Sequence, residues 1–122
     1  MRCCFTLVEP VLDEKGLPVD LTFLEVNSAM ERLSGRIRED LMGQQLRELY
    51  PNTPRELIET IGAVALTGDP KKLAIYHPDF DRHLKIRAYS PWKGQCALIF
   101  RVMAPQEAKV PHGQPPQFPE QP

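Results

Sequence analysis

The chain has 122 residues, 42% of them hydrophobic and 25% charged, with a formal net charge of -1, which is the composition of one soluble globular domain. Before Ala104 the basic and acidic side chains balance at 14 each, so no field exists to steer nucleic acid or an anionic membrane surface. No apolar run approaches the roughly 20 residues that cross a bilayer, and Met1 to Glu9 lacks the features of a secretory leader, so the expected location is the cytoplasm.

Residues 3–12 are rich in strand formers and lead into the polar turn Asp13-Glu14-Lys15-Gly16, after which residues 20–27 read as the return strand of a hairpin. Pro10 cannot donate to a ladder, so the first strand is expected to bend or finish there. Ser28 and Glu31 have the spacing of a capping box, and Gly35 suits a helix stop, so a short helix is expected over 28–35. Residues 38–42 and 45–50 suggest two further helical turns, broken by Gly43 and Pro51. The longest helix is expected to begin with Thr53 as cap and Pro54 at its first position, with Glu56 completing a second capping box, and to end at Gly68. Leu57, Ile61, Val64 and Ala65 then form an apolar stripe at helical spacing.

Three strands follow, over 71–77, 83–89 and 96–103, separated by Pro78-Asp79-Phe80-Asp81 and Pro91-Trp92-Lys93-Gly94. From Ala104 onward the chain turns to Pro, Gln and Glu, with six of the 13 prolines. Residues 1–103 are therefore read as one domain and 104–122 as a disordered tail, because such a composition buries too little surface to offset its ordering entropy.

Two strands, several short helices, one longer helix and three strands predict an α+β fold, with the helices on one face of a five-stranded antiparallel sheet. The run Val26-Asn27-Ser28-Ala29-Met30-Glu31-Arg32-Leu33-Ser34-Gly35, followed by Met42-Gly43, Leu66-Thr67-Gly68-Asp69, Tyr89-Ser90-Pro91 and Gly94-Gln95, resembles the PAS domains of bacterial signalling proteins over residues 5–103. The resemblance implies a sensory or regulatory module of signal transduction, including two-component systems, that binds a small ligand or a protein partner such as a kinase or cyclase. A ligand-free dimerisation adaptor is the alternative. Val102-Met103-Ala104 stands where similar sequences end in Asp-Ile-Thr, so the usual coupling to a following helix is not expected, and the tail carries no heptads.

No nucleophile with a base, no paired carboxylates in a cleft and no phosphate-cradling glycine loop is evident, so catalysis is not expected. Three cysteines, two of them adjacent, read as reduced thiols, and with His77, His83 and His112 they lack metal-ligand spacing. The light-sensing flavin branch of the PAS family carries a reactive cysteine in the region matching 33–46, and the haem branch commonly a histidine on the long helix. This chain has neither signature, so no cofactor is expected. His77 and His83 are expected at the surface.

A pocket between helices and sheet is the expected ligand site, with Met30, Leu33, Leu57, Ile61, Ile86 and Leu98 as apolar wall and Asn27, Tyr50 and Tyr76 as polar handles. Cys96 is the thiol expected beside it. Many PAS domains cover the outer sheet face with a helix placed before the first strand, whereas this strand begins almost at Met1. A homodimer through Phe5, Leu7, Ala97, Ile99 and Met103 is therefore expected.

Overall fold

The computed structural model describes residues 3–108. One antiparallel sheet of order β2-β1-β5-β4-β3 is built from β1 (Cys4–Leu12), β2 (Pro18–Val26), β3 (Lys71–His77), β4 (Arg82–Tyr89) and β5 (Cys96–Val102). Between β2 and β3 come α1 (Ser28–Ser34), α2 (Arg38–Leu41), α3 (Leu46–Leu49) and the longer α4 (Arg55–Thr67). The first and last strands of the chain run side by side at the centre, with Thr6 opposite Leu98 and Val8 opposite Cys96.

Strand alternation sets the inner face. Cys4, Thr6 and Val8 of β1, Leu84, Ile86 and Ala88 of β4, and Cys96, Leu98 and Phe100 of β5 are all buried, as period-two side chains on one face must be. α4 lies across this face and touches all five strands, burying Leu57, Ile58, Ile61, Gly62, Val64 and Ala65. The expected stripe is thus the core face of the helix, and Gly68 ends it at φ 85.

β1 does not finish at Pro10. It runs to Leu12, with Pro10 opposite Leu21 of β2, but its pairing with β5 stops at Val8, so the missing N–H interrupts no β1–β5 ladder.

Both expected helix caps are corrected. Asn27, not Ser28, caps α1: its Oδ1 accepts from the N–H groups of Met30 and Phe5, each at 3.0 Å. Glu31 does not close a capping box, because its carboxylate accepts from the Arg38 N–H instead. α4 begins after Pro54 with no side-chain cap, since the Thr53 hydroxyl is engaged elsewhere.

Within the expected tail, Pro105–Ala108 forms a helical turn, α5. Glu107 makes two hydrogen bonds to the Arg101 guanidinium, at 2.8 and 2.7 Å, and accepts from the Ala104 N–H at 2.8 Å. These donors hold its carboxyl down at about 2. The last strand is thereby tied to the segment after it by residues other than those usual in similar sequences. The remaining tail positions lie outside the described residues. No helix among the described residues is long and apolar enough to cross a membrane.

Candidate functional site

Between α4 and the inner sheet face lies a cavity of about 50 Å³. Met30 of α1, Leu57 and Ile61 of α4, Ile86 of β4 and Leu98 of β5 line it, together with Val8, Leu21, Phe23, Leu84 and Phe100 from the sheet. Its wall is apolar apart from Thr6 and His77. Thr6 is 1% exposed, and its Oγ1 has no hydrogen-bond partner. A buried hydroxyl without a partner costs about 1–3 kcal/mol, so such an atom calls for an occupant that can bond it. The volume is far below the roughly 300–1,000 Å³ of pockets for drug-sized ligands. Core side chains fill most of the space between the layers.

Half of the ten expected pocket residues meet at this cavity and half do not. Asn27 has its carbonyl on the Met30 and Phe5 amides and its Nδ2 on the Cys3 carbonyl, so it is spent on tying α1 to β1. Leu33 is partly buried and packs against the core from the far end of α1. Tyr50 is buried and stacks at 4.7 Å on Phe80, behind the cavity wall; its hydroxyl is the second buried polar atom without a partner. Tyr76 is exposed and donates its hydroxyl to Asp81, because it points to the outer face of β3 while Ile75 and His77 point inward. Cys96 is fully buried against the core, where desolvation pushes its thiol up to about 12. It behaves as a small hydrophobe.

His77 corrects the surface placement expected of it, whereas His83 is exposed. His77 is 2% exposed and lines the cavity. Its Nδ1 accepts from the Asp79 N–H at 3.3 Å, and its Nε2 is 2.9 Å from Thr53 Oγ1. Thr53 Oγ1 donates to the Tyr50 carbonyl at 2.7 Å, so its lone pairs face His77 and Nε2 carries the proton. Both ring nitrogens are thus committed in the neutral form. Burial lowers the imidazole's pKa, with Asp79 opposing that shift. Two residues along, the Asp79 carboxylate accepts from the Asn52 N–H and Nδ2, each at 2.9 Å. Those donors hold its carboxyl below the usual range.

On the outer sheet face Phe5 lies opposite Ile99 and Leu7 opposite Ala97. Phe5, Leu7, Ile99 and Met103 are partly buried and Ala97 is buried. The apolar strip is bordered by exposed Lys72, Lys85 and Arg87 of β3 and β4. Among the described residues no group of three or more metal-ligating side chains comes together.

A five-stranded antiparallel sheet with its longest helix packed across one face, over a small apolar cavity, defines an α+β domain. Comparison narrows the class. A family model described as the PAS fold matches residues 17–71, from the end of the β1–β2 turn to the first residue of β3. The crystal structure of a domain of an HTR-like protein from Haloarcula marismortui ATCC 43049 is similar over 85% of this chain and 100% of that one, with 19% identity and a TM-score of 0.63. No curated protein matches. The match over residues 17–71 and the structural likeness support a PAS fold for this chain.

Proposed function

We propose that this PAS-fold domain is a sensory module that works by binding, without catalysis and without haem or flavin, and that its ligand is a small, mostly apolar molecule with a single hydrogen-bonding group. The observation that carries this reading is Thr6 Oγ1, an unpartnered hydroxyl on the wall of an otherwise apolar cavity. A short alcohol has the matching chemistry. Native mass spectrometry with an absorbance spectrum, on protein purified from its own host, should find a retained small molecule and no Soret or flavin band.

Thr6→Val tests the assignment by sign. In ligand-free protein it is expected to raise stability by about 1–3 kcal/mol, because a valine of similar shape removes an unsatisfied buried hydroxyl. It should also abolish shifts of the Ile61 and Ile86 methyl resonances caused by n-propanol while leaving those caused by xenon. Equal n-propanol shifts in both proteins would remove Thr6 from the site.

A protein partner remains a second mode of action, favoured by the apolar strip of the outer face. Isologous pairing of two such strips is the commonest way to bury them, so the module is read as a homodimer through Phe5, Leu7, Ala97, Ile99 and Met103. A signalling protein of the kinase or cyclase type is the output this reading leaves open. Light scattering at about 100 μM, where even a micromolar dimer forms, should report a dimer for the wild type and a monomer, still folded, for Ile99→Glu. A wild-type monomer at that concentration refutes the dimer.

A further inference from the structure

The β3–β4 corner forms part of the cavity wall, through His77 and Phe80. That corner is fastened to the segment before α4 by two adjacent attachments. One is the chain of bonds from the Asp79 N–H to His77 Nδ1, from His77 Nε2 to Thr53 Oγ1 and from there to the Tyr50 carbonyl. The other is the pair of bonds from Asn52 to the Asp79 carboxylate. The corner itself is a tight turn in which the Asp81 N–H donates to the carbonyls of His77 and Pro78, with Asp81 at φ 53.

We propose that this cluster, Asn52 and Thr53 on one side and His77 and Asp79 on the other, is a proton-sensitive latch that closes the cavity. The proposal rests on the cavity reading above, whose ligand access it would regulate. Adding a proton to His77 puts an N–H at Nδ1, directly facing the Asp79 N–H it now accepts. Two donors then oppose each other in a part-buried site, and the corner moves to part them. Asp79 is the charged group that acts on the ring, and its carboxylate is already held by Asn52. Tyr50 and Phe80 present aromatic rings, at 6.2 and 4.8 Å between centroids. Arg36 stacks on the Tyr50 ring, 5.5 Å from its centre. From the turn, Asp81 is engaged with Tyr76, and the Arg82 guanidinium with the Asp81 carbonyl. Arg55 and Glu56 at the start of α4 are exposed, while Leu57 of α4 and Leu84 of β4 are apolar.

The sign follows from linkage. An unfolded or opened histidine titrates near 6.5, and in the closed state burial lowers that value. Closure is thus fully supported above about pH 6.5 and weakens as pH falls from there toward the closed-state value. Asp79, whose carboxyl lies below its usual range, stays ionised through that window, so the change belongs to His77.

Hydrogen exchange followed by NMR, corrected for the intrinsic pH dependence, reads the latch directly at the amides of Asn52, Asp79 and Asp81. Between pH 7.5 and 5.5 their protection should fall severalfold, with a ceiling of about tenfold for one group titrating at 6.5 when open. Amides of α4 at Ile61 and Ala65 should keep theirs. His77→Gln, which keeps a neutral donor toward Thr53 at every pH, should flatten the response. Benzene is the access probe, because the closed cavity of about 50 Å³ is much smaller than the roughly 150 Å³ cavity known to admit it. It should perturb the Ile61 and Ile86 methyl resonances at pH 5.5 and not at 7.5. Unchanged protection, or an equal loss in α4 and in the corner, overturns the latch. So does a wild-type His77 ring that carries its proton on Nδ1 at pH 7.5, a measurement that does not depend on the variant folding. Xenon keeps the two ideas separate: methyl shifts with xenon at pH 7.5 but no pH-dependent opening retain the cavity and sink the latch, whereas corner opening without any xenon shift retains the latch and sinks the cavity as a ligand site.

Discussion

Ile61→Asp is expected to leave the domain unfolded or nearly so at room temperature. Ile61 is 1% exposed in the middle of α4, with one side on the cavity and the rest against the sheet. An aspartate there either ionises in an apolar wall or takes up a proton and stays neutral, and both cost several kcal/mol. The lost isoleucine packing adds about 2–5 kcal/mol by comparison with truncation to alanine. Against a total stability of about 5–15 kcal/mol little remains. Ile61→Val, at about 0.5–1.5 kcal/mol, is the control that keeps the apolar surface. Circular dichroism melts check both, and an aspartate variant melting within a few degrees of wild type would place this helix face in solvent.

The element order was legible because each element announces itself locally. The apolar stripe from Leu57 to Ala65 repeats at helical spacing, and the strands alternate between turn clusters rich in Pro, Gly and Asp. The caps were misread for a reason that is not local. Asn27 and Ser28 are both good caps, and the choice falls to Asn27 because its Oδ1 also accepts from Phe5, 22 residues away. Thr53 is drawn away from α4 by His77, 24 residues distant, which no window around the helix start reveals.

The site was half legible for a similar reason. Apolar wall residues follow from burial preference, so Met30, Leu57, Ile61, Ile86 and Leu98 were accessible to sequence reasoning. The polar members were chosen by residue type, and the ones that count lie elsewhere. Thr6 sits between Cys4 and Val8 on the inward register of β1, and His77 continues the register of Leu73 and Ile75. Period-two counting along the strands would have found both, where a general expectation that histidines are exposed missed one and passed over the other.

Gly62 carried a further signal that composition could not interpret. A glycine in the middle of an otherwise strong helix costs about 1 kcal/mol relative to alanine, so its presence there calls for a neighbour that comes close. The neighbour is Pro18 at the start of β2. A Cβ at position 62 would lie 2.4 Å from both Cβ and Cγ of that ring, and a proline ring has no rotamer by which to yield. Gly62→Ala is therefore expected to destabilise the domain by about 1–3 kcal/mol, as overpacking does, even though alanine favours the helix. For a domain of this size that is about 3–6 °C in melting temperature per kcal/mol. The cause can be isolated with a double-mutant cycle. Pro18→Gly removes both clashing atoms, and in that background Gly62→Ala should become neutral or stabilising by up to about 1 kcal/mol. An equal loss with and without Pro18 would mean that α4 is not seated against the start of β2 at this point, and that the glycine is there for some other contact.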